Sequence, residues 1–286
     1  MKIGIVSINV GGPQTAEQMA AVCQHAEAAG IESVWTFEHV VVPVDYDSRY
    51  PYSRSGKMGI SPEVSFVDPL ISLAHVAAAT KTLRLGTGVN ILPQANPLLF
   101  AKQAASIDVL SGGRLTLGLG IGWLREEYAA MGTPFERRGA RFDDYLAAMK
   151  KVWSGDVVEH ESDFLSWHGF KSYPIPEQRP HPPILIGGTT DKSLERVVKA
   201  ADGWYAPNDS LSDLERQLTA LQARCAETGR EFDSLDITIN WRAEKYPEAL
   251  ADYEALGVTR AVALLGPMRE RDPRHAIDRV VKSAGL

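Results

Sequence analysis

Three clusters in this 286-residue chain combine residue types that could do chemistry. The first is Glu38-His39, an adjacent acid and imidazole. Imidazole titrates near neutral pH, so His39 could take or give a proton with Glu38 beside it. The competing reading is a solvated loop histidine. The second is Gly187-Gly188-Thr189-Thr190, which follows the apolar run Ile184–Ile186. If it joins a strand to a helix N-terminus, its free N–H groups and the helix dipole could hold a phosphate. A tight turn that needs two glycines is the alternative. The third cluster is Gly118, Gly120 and Gly122, alternating along another apolar run. Glycine there lets something approach the backbone closely, or lets the chain bend. It is no dinucleotide fingerprint: the third glycine comes one residue early, and no acidic residue about 20 positions on closes such a unit.

The elements that must position these clusters follow from periodicity. Lys2–Asn9 reads as a strand buried on both faces. Thr15 and Gln18 form a capping-box pattern for a helix that runs to about Ala29 and stops at Gly30. Ser33–His39 is the second strand, and Val40–Phe66 is a long loop of the kind that forms lids. Asp68–Thr80 is helical. Leu83–Leu92, Pro97–Leu110 and Arg114–Gly122 then make a strand, an amphipathic helix and a strand. Trp123–Met131 and Arg137–Trp153 are helices, the second with Phe142, Tyr145, Leu146, Met149 and Val152 on its inner face. Val157–Lys171 alternates as a hairpin turning near Ser162-Asp163, and Pro174–Pro183 is extended. Strands at Ile184–Gly188, Gly203–Pro207, Leu235–Trp241 and Arg260–Gly266 follow. Helices Lys192–Ala201, Leu211–Thr228, Pro247–Leu256 and His275–Ala284 succeed them, with Thr189 a candidate cap for the first. Eight strands, mostly followed by helices, indicate a single (β/α)8 barrel over residues 1–286, with a hairpin and loop insertion before strand 5.

Composition narrows the function. Net charge is -6, from 30 basic and 36 acidic residues, which argues against nucleic acid or an anionic membrane as partner. No apolar run reaches the roughly 18 residues that span a bilayer. Met1–Val6 enters a strand at once with no signal-peptide pattern, so a cytoplasmic protein is expected. Cys23 and Cys225 are the two cysteines, both at helical positions, and read as reduced buried thiols. His160, His168 and His181 match no metal spacing, so no metal site is expected. Arg137, Arg138 and Arg141 read as a solvated helix face or, alternatively, a pocket rim. Trp123, Tyr128, Trp153 and Trp204 read individually as core, or as aromatic pocket walls. In a barrel, chemistry sits at the C-terminal strand ends, which nominates Asn9, Glu38, His39, Gly88–Asn90, Gly120–Trp123 and Gly187–Gly188. Residue types alone thus reach an acidic barrel enzyme with a phosphate-bearing small-molecule ligand.

Five stretches in order resemble the luciferase-like monooxygenase superfamily of flavin- and deazaflavin-dependent oxidoreductases. They are Ser33–His39, Leu85–Asn90, Asn96–Gln103 leading into Leu110–Arg114, Gly118–Tyr128, and Ile184–Gly188. Together they span nearly the whole chain. Gly122-Trp-Leu-Arg-Glu-Glu-Tyr128, followed by Gly132–Arg138, resembles the compact subgroup assigned to coenzyme F420. The resemblance implies a bulge after strand 3, at Gly88-Val89, often with a non-prolyl cis peptide that props the cofactor ring. It implies catalytic roles for His39 and Glu38, a phosphate loop at Gly187, Gly188 and Thr189, and Asn90, Gly120, Ile121 and Gly122 flanking the cofactor. It implies hydride transfer between F420 and a small organic substrate, with His39 moving the proton and Glu38 orienting it or binding cofactor. FMN-dependent monooxygenation is the alternative, and a non-catalytic cofactor-binding protein is a third reading. A homodimer is a family expectation. Trp123 stands where deazaflavin dehydrogenases of sugar phosphates carry a catalytic acid, so an apolar substrate is expected instead.

Overall fold

In the computed structural model, which describes residues 1–11, 15–207, 210–243, 245–246, 248–265 and 274–286, eight parallel strands close into a barrel. In chain order the elements are β1 (Lys2–Val6), α1 (Ala16–Ala28), β2 (Ser33–Thr36), α2 (Pro69–Ala79), β3 (Arg84–Thr87) and β4 (Asn90–Ile91). Next come α3 (Pro97–Ser111), β5 (Leu115–Gly120), α4 (Arg125–Ala130), α5 (Arg138–Trp153), β6 (Val158–Glu161) and β7 (Ser166–Phe170). The chain continues with β8 (Ile184–Gly187), α6 (Asp191–Ala200), β9 (Gly203–Ala206) and α7 (Leu211–Thr228). It ends with β10 (Asp236–Trp241), α8 (Ala249–Ala255), β11 (Arg260–Leu264) and α9 (Arg274–Ala284). The wall runs β3-β2-β1-β11-β10-β9-β8-β5, and Leu85↔Leu115 and Gly86↔Thr116 pair β3 with β5 to close it. β6 and β7 form the antiparallel hairpin inserted before β8, as the alternating pattern predicts.

Local chemistry starts and stops these elements. Thr15 accepts from the Gln18 N–H while the Gln18 side chain returns to the Thr15 N–H, so the expected capping box closes α1. Asp68 and Asn96 cap α2 and α3, each followed by a proline that suits the first helical turn. Gly112, at φ 68°, ends α3 in the left-handed conformation. Arg114 then reaches back to the last turn of α2, donating to the Ala77 and Thr80 carbonyls at 2.8 and 3.2 Å. Strands stop earlier than periodicity suggests. β1 ends at Val6 because Ser7 has φ 75° and donates its hydroxyl to the Leu265 carbonyl at 2.7 Å. β2 ends at Thr36, which leaves Glu38 and His39 beyond the wall. Two expected boundaries, Pro247 and Gly266, lie outside the described residues.

Most of the core lies between barrel and helices. The inner face of α5 is buried through Phe142, Leu146, Met149 and Val152. Trp153, Trp204 and Tyr128 are core residues. Inside the barrel a smaller cluster of Val6, Trp35, Leu185, Tyr205 and Val262 fills the interior, with partly exposed Phe37 and Val89 packed against it. The N-terminal end of the barrel is held by an ion triad that periodicity did not reveal. Arg260, 2% exposed, donates to Glu32 at 2.9 and 3.0 Å and to Asp236 at 2.9 and 2.8 Å. Burial alone would raise both carboxyls, but the guanidinium outweighs it and holds both below the usual carboxylate range.

That triad makes Arg260→Met a sharp test of the barrel's closed end. The variant keeps the apolar stem but leaves two carboxylates without their cation, a loss of about 3–5 kcal/mol near pH 7. Both carboxyls are depressed in the folded protein, so their stabilisation is present above the ordinary carboxylate pKa and is lost as pH falls. The deficit of the variant should therefore shrink as pH falls below about 4, where the unfolded chain takes up protons and the wild type begins to lose that stabilisation. Chemical denaturation on either side of that value checks this, and an equal deficit at both would contradict it.

Candidate active site

The C-terminal mouth of the barrel is built around the turn that interrupts the third wall strand. After Thr87 the Gly88–Val89 peptide bond is cis, and Asn90–Ile91 resume pairing against Leu119 and Gly120. This is the bulge position that the family resemblance implies. The turn throws the Val89 side chain onto β5 and β8, and glycines receive it there. A Cβ at Gly120 would lie 2.7 Å from Val89 Cγ2, and one at Gly187 would lie 2.9 Å from Val89 Cγ1. A Cβ at Gly118 would strike the Thr87 carbonyl at 1.9 Å. Gly122, at φ 68°, makes the same allowance for Ile91, whose Cγ2 would sit 2.8 Å from an added Cβ. The alternating glycines therefore admit the chain's own Val89 and Ile91, a close backbone approach of the kind glycine permits. Val89 itself stays partly exposed, as an apolar floor.

Glu38 braces this turn. Its Oε1 accepts from Asn90 Nδ2 at 2.7 Å, and its Oε2 accepts from the Ile91 N–H. Burial raises its pKa to about 7, helped by the nearby Glu127 and Asp68 charges and opposed by the Ile91 and Asn90 hydrogen bonds. Asn90 Oδ1 is a buried acceptor with no partner within the protein.

His39 has a different carboxylate from the one its sequence neighbour suggests. Its Nδ1 lies 3.0 Å from Oε2 of Glu127, a residue of α4 that is 2% exposed. The expectation that Glu38 orients His39 is corrected here: the hydrogen bonds of Glu38 go to Asn90 and Ile91. Both residues lie past the end of β2, and their side chains go to different partners. Phe66 and Trp123 meet the imidazole edge-on, with ring centroids 5.6 and 6.2 Å away.

Trp123 is also the centre of an aromatic roof drawn from the loop 40–66. Tyr46 and Tyr50 contact it at 5.7 and 5.1 Å between ring centroids, and Tyr52 packs on Tyr50 at 5.4 Å. The first turn of α4 fastens that loop. Glu127 Oε1 accepts from the Val40 N–H at 2.7 Å, and Glu126 Oε1 accepts from the Asp47 and Ser48 N–H groups at 2.8 and 3.2 Å.

Across the mouth, Gly187 ends β8 and Gly188, at φ 113°, turns the chain toward α6. Thr190 caps this helix, rather than Thr189, by accepting from the Ser193 N–H. Trp204 Nε1 donates to the Gly188 carbonyl at 2.8 Å and fixes the turn from below. The arginines of α5 also differ from a solvated face. Arg141 is 6% exposed and donates to the Pro134 carbonyl at 2.7 Å, and Arg138 donates to the Gly122 carbonyl at 3.3 Å. The barrel thus brings Glu38, His39, Gly88, Val89, Asn90, Gly120 and Gly122 to one end, with Gly187 ending β8, Gly188 and Thr189 in the loop after it and Ile121 just past β5. It adds Glu127, Phe66, Tyr46 and Tyr50, which no local spacing singles out.

A family model described as luciferase-like monooxygenase matches residues 1–257, and the chain belongs to that family. A protein of uncharacterised function from Mycobacterium tuberculosis (strain ATCC 25618 / H37Rv) is 31% identical over 245 residues, 85% of each chain. Among solved structures, the monooxygenase RslO1 from Streptomyces bottropensis is similar with a TM-score of 0.78 at 21% identity, over 99% of this chain and 98% of that one. An F420-dependent secondary alcohol dehydrogenase, solved with an F420–acetone adduct, is similar with a TM-score of 0.78 at 14% identity, with the same two coverages. These likenesses show the shared barrel fold.

The raised pKa of Glu38 has a measurable consequence. A carboxyl whose pKa is higher folded than unfolded favours the fold below the unfolded value and loses that contribution as pH climbs to the folded one. Glu38 should therefore cost the wild type about 3 kcal/mol of stability between about pH 4.5 and pH 7. Glu38→Gln has no such proton to lose. The wild-type stability relative to Glu38→Gln should fall across that window, and a pH-independent difference in denaturation midpoints would contradict it.

Proposed function

We propose that this chain, a member of the luciferase-like monooxygenase family, is an F420-dependent oxidoreductase. It would transfer hydride between the deazaflavin and a small, apolar organic substrate, either unsaturated or a carbonyl compound. One observation carries the proposal: a partly buried imidazole, His39, stands at the barrel mouth beside the apolar Val89 floor and under an aromatic roof. The residues present fit a flat ring with a phosphate-bearing tail. Val89 offers a partly exposed apolar face on a cradle of glycines that any Cβ would fill. Gly188, in a backbone conformation suited to glycine, opens onto the N-terminus of α6, whose free N–H groups and dipole favour a phosphate.

The bound cofactor would supply the hydride chemistry. The protein's own part is positioning, water exclusion and one proton. His39 would give or take the proton that accompanies hydride at the substrate. Glu38 would hold the Gly88–Ile91 turn in place through Asn90 and Ile91, rather than act on His39. Trp123, Tyr46, Tyr50 and Phe66 form an apolar surround next to His39, which supports an apolar substrate over a sugar phosphate. The fastening of loop 40–66 to α4 supports exclusion of water from the mouth. The same lid would serve an FMN-dependent monooxygenase, the second reading, whose site would also have to exclude water.

Fluorescence titration of the purified protein with F420 and, separately, with FMN distinguishes the two. The expected result is micromolar or tighter binding of F420 and much weaker binding of FMN. In the same protein, His39→Ala should keep F420 affinity and lose about 100-fold or more in the rate at which enones or ketones reoxidise reduced F420. An FMN preference would move the chain to the monooxygenases, and full turnover by His39→Ala would remove the proton-transfer role. Tight cofactor binding with no turnover of any acceptor would indicate a carrier rather than an enzyme.

A further inference from the structure

We propose that Glu127 is a positioning residue that dictates which nitrogen of His39 carries the proton. It also ties that choice to the start of the lid. The proposal rests on the proton-transfer reading for its catalytic meaning, but its physical content stands on geometry alone. Glu127 is 2% exposed, and three donors converge on it. Its Oε1 accepts from the Val40 N–H at 2.7 Å and from the Val41 N–H at 3.4 Å, while its Oε2 lies 3.0 Å from His39 Nδ1. A carboxylate only accepts hydrogen bonds, so the nitrogen facing it must be the protonated one. In the neutral ring Nδ1 then carries hydrogen, and Nε2 keeps its lone pair. Phe66 and Trp123, at interplanar angles of 84° and 82° to the imidazole, hold the plane of the ring. Two edge contacts and one hydrogen bond leave His39 a single orientation, with Nε2 as the proton-transferring atom.

The second half of the inference concerns the loop. The carboxylate that grips His39 also caps the first two N–H groups of residues 40–66, and the adjacent Glu126 caps Asp47 and Ser48. One turn of α4 thus sets both the tautomer and the near end of the lid. A lid displaced at Val40 would pull the Glu127 carboxylate with it, so the imidazole would be correctly poised when the lid is seated.

Nitrogen-15 NMR of the histidine ring in the full-length protein without cofactor reads the tautomer directly, with His39 assigned by its absence from His39→Asn. Above the imidazole titration, the wild type should show a pyrrole-type Nδ1 and a pyridine-type Nε2. In Glu127→Gln the amide oxygen keeps the Val40 N–H, so the NH2 group must donate to Nδ1, and the two resonance types should exchange. The same variant should bind F420 with unchanged affinity yet lose about 100-fold in reoxidation rate of reduced F420. Glu127→Asp, which keeps the charge, should retain the wild-type tautomer. A wild-type ring protonated on Nε2 would overturn the proposal even if Glu127→Gln failed to fold. So would an unchanged tautomer in Glu127→Gln. An exchanged tautomer with full turnover would uphold Glu127 as the positioning residue and overturn proton transfer by His39.

Discussion

Seating one branched side chain in a wall of parallel strands is the constraint on which the mouth of this barrel depends. The cis Gly88–Val89 turn sends Val89 across β5 and β8, and there is room because Gly120 and Gly187 have no Cβ to offer. Other glycines answer the same demand: a Cβ at Gly88 would lie 2.7 Å from the Tyr205 hydroxyl, and one at Gly86 would enter the Trp35 indole. Close-packed interiors leave no slack for an added methyl group, so the position of each of these residues fixes the others. Glu38 completes the arrangement by accepting the Ile91 N–H that the broken strand leaves over.

From that seat the mouth is organised by two carboxylates with separate partners. Glu38 faces the turn and is pushed toward neutrality by burial, whereas Glu127 faces the imidazole and the start of the loop. Both lie at one end of the barrel, while the other end is closed by the charges of Glu32, Arg260 and Asp236. The buried ion triad thus lies at the N-terminal face and the candidate site at the C-terminal face, the division expected of such barrels.

Much of the fold could be read from the sequence because its signals are local. The Thr15–Gln18 capping box, the Asn96-Pro97 helix start and the alternation of Val157–Lys171 each report a neighbour a few residues away. The candidate site was legible as far as strand ends could be located, which is how His39, Val89 and Gly188 were nominated. What escaped was contact across long separations. Glu127 is 88 residues from His39, and Arg260 is 228 from Glu32, so no spacing links either pair. The adjacency of Glu38 and His39 misled for the same reason, because the partner of each lies far away in the sequence, at Asn90 and Ile91 for Glu38 and at Glu127 for His39. The alternating glycines were legible as space for a close approach, but the occupant, Val89, became visible only once the chain had turned at Gly88.

In the proposed function, Val89 would be the surface on which the cofactor ring rests. Methyl NMR of valine-labelled protein, recorded while F420 is titrated to saturation, tests it most directly. A flat aromatic ring against a methyl group displaces its resonance through the ring current. The Val89 methyls, assigned by Val89→Ala, should move most on binding, while those of Val280, buried in α9, stay in place. Saturating F420 binding that leaves the Val89 methyls unmoved would contradict it.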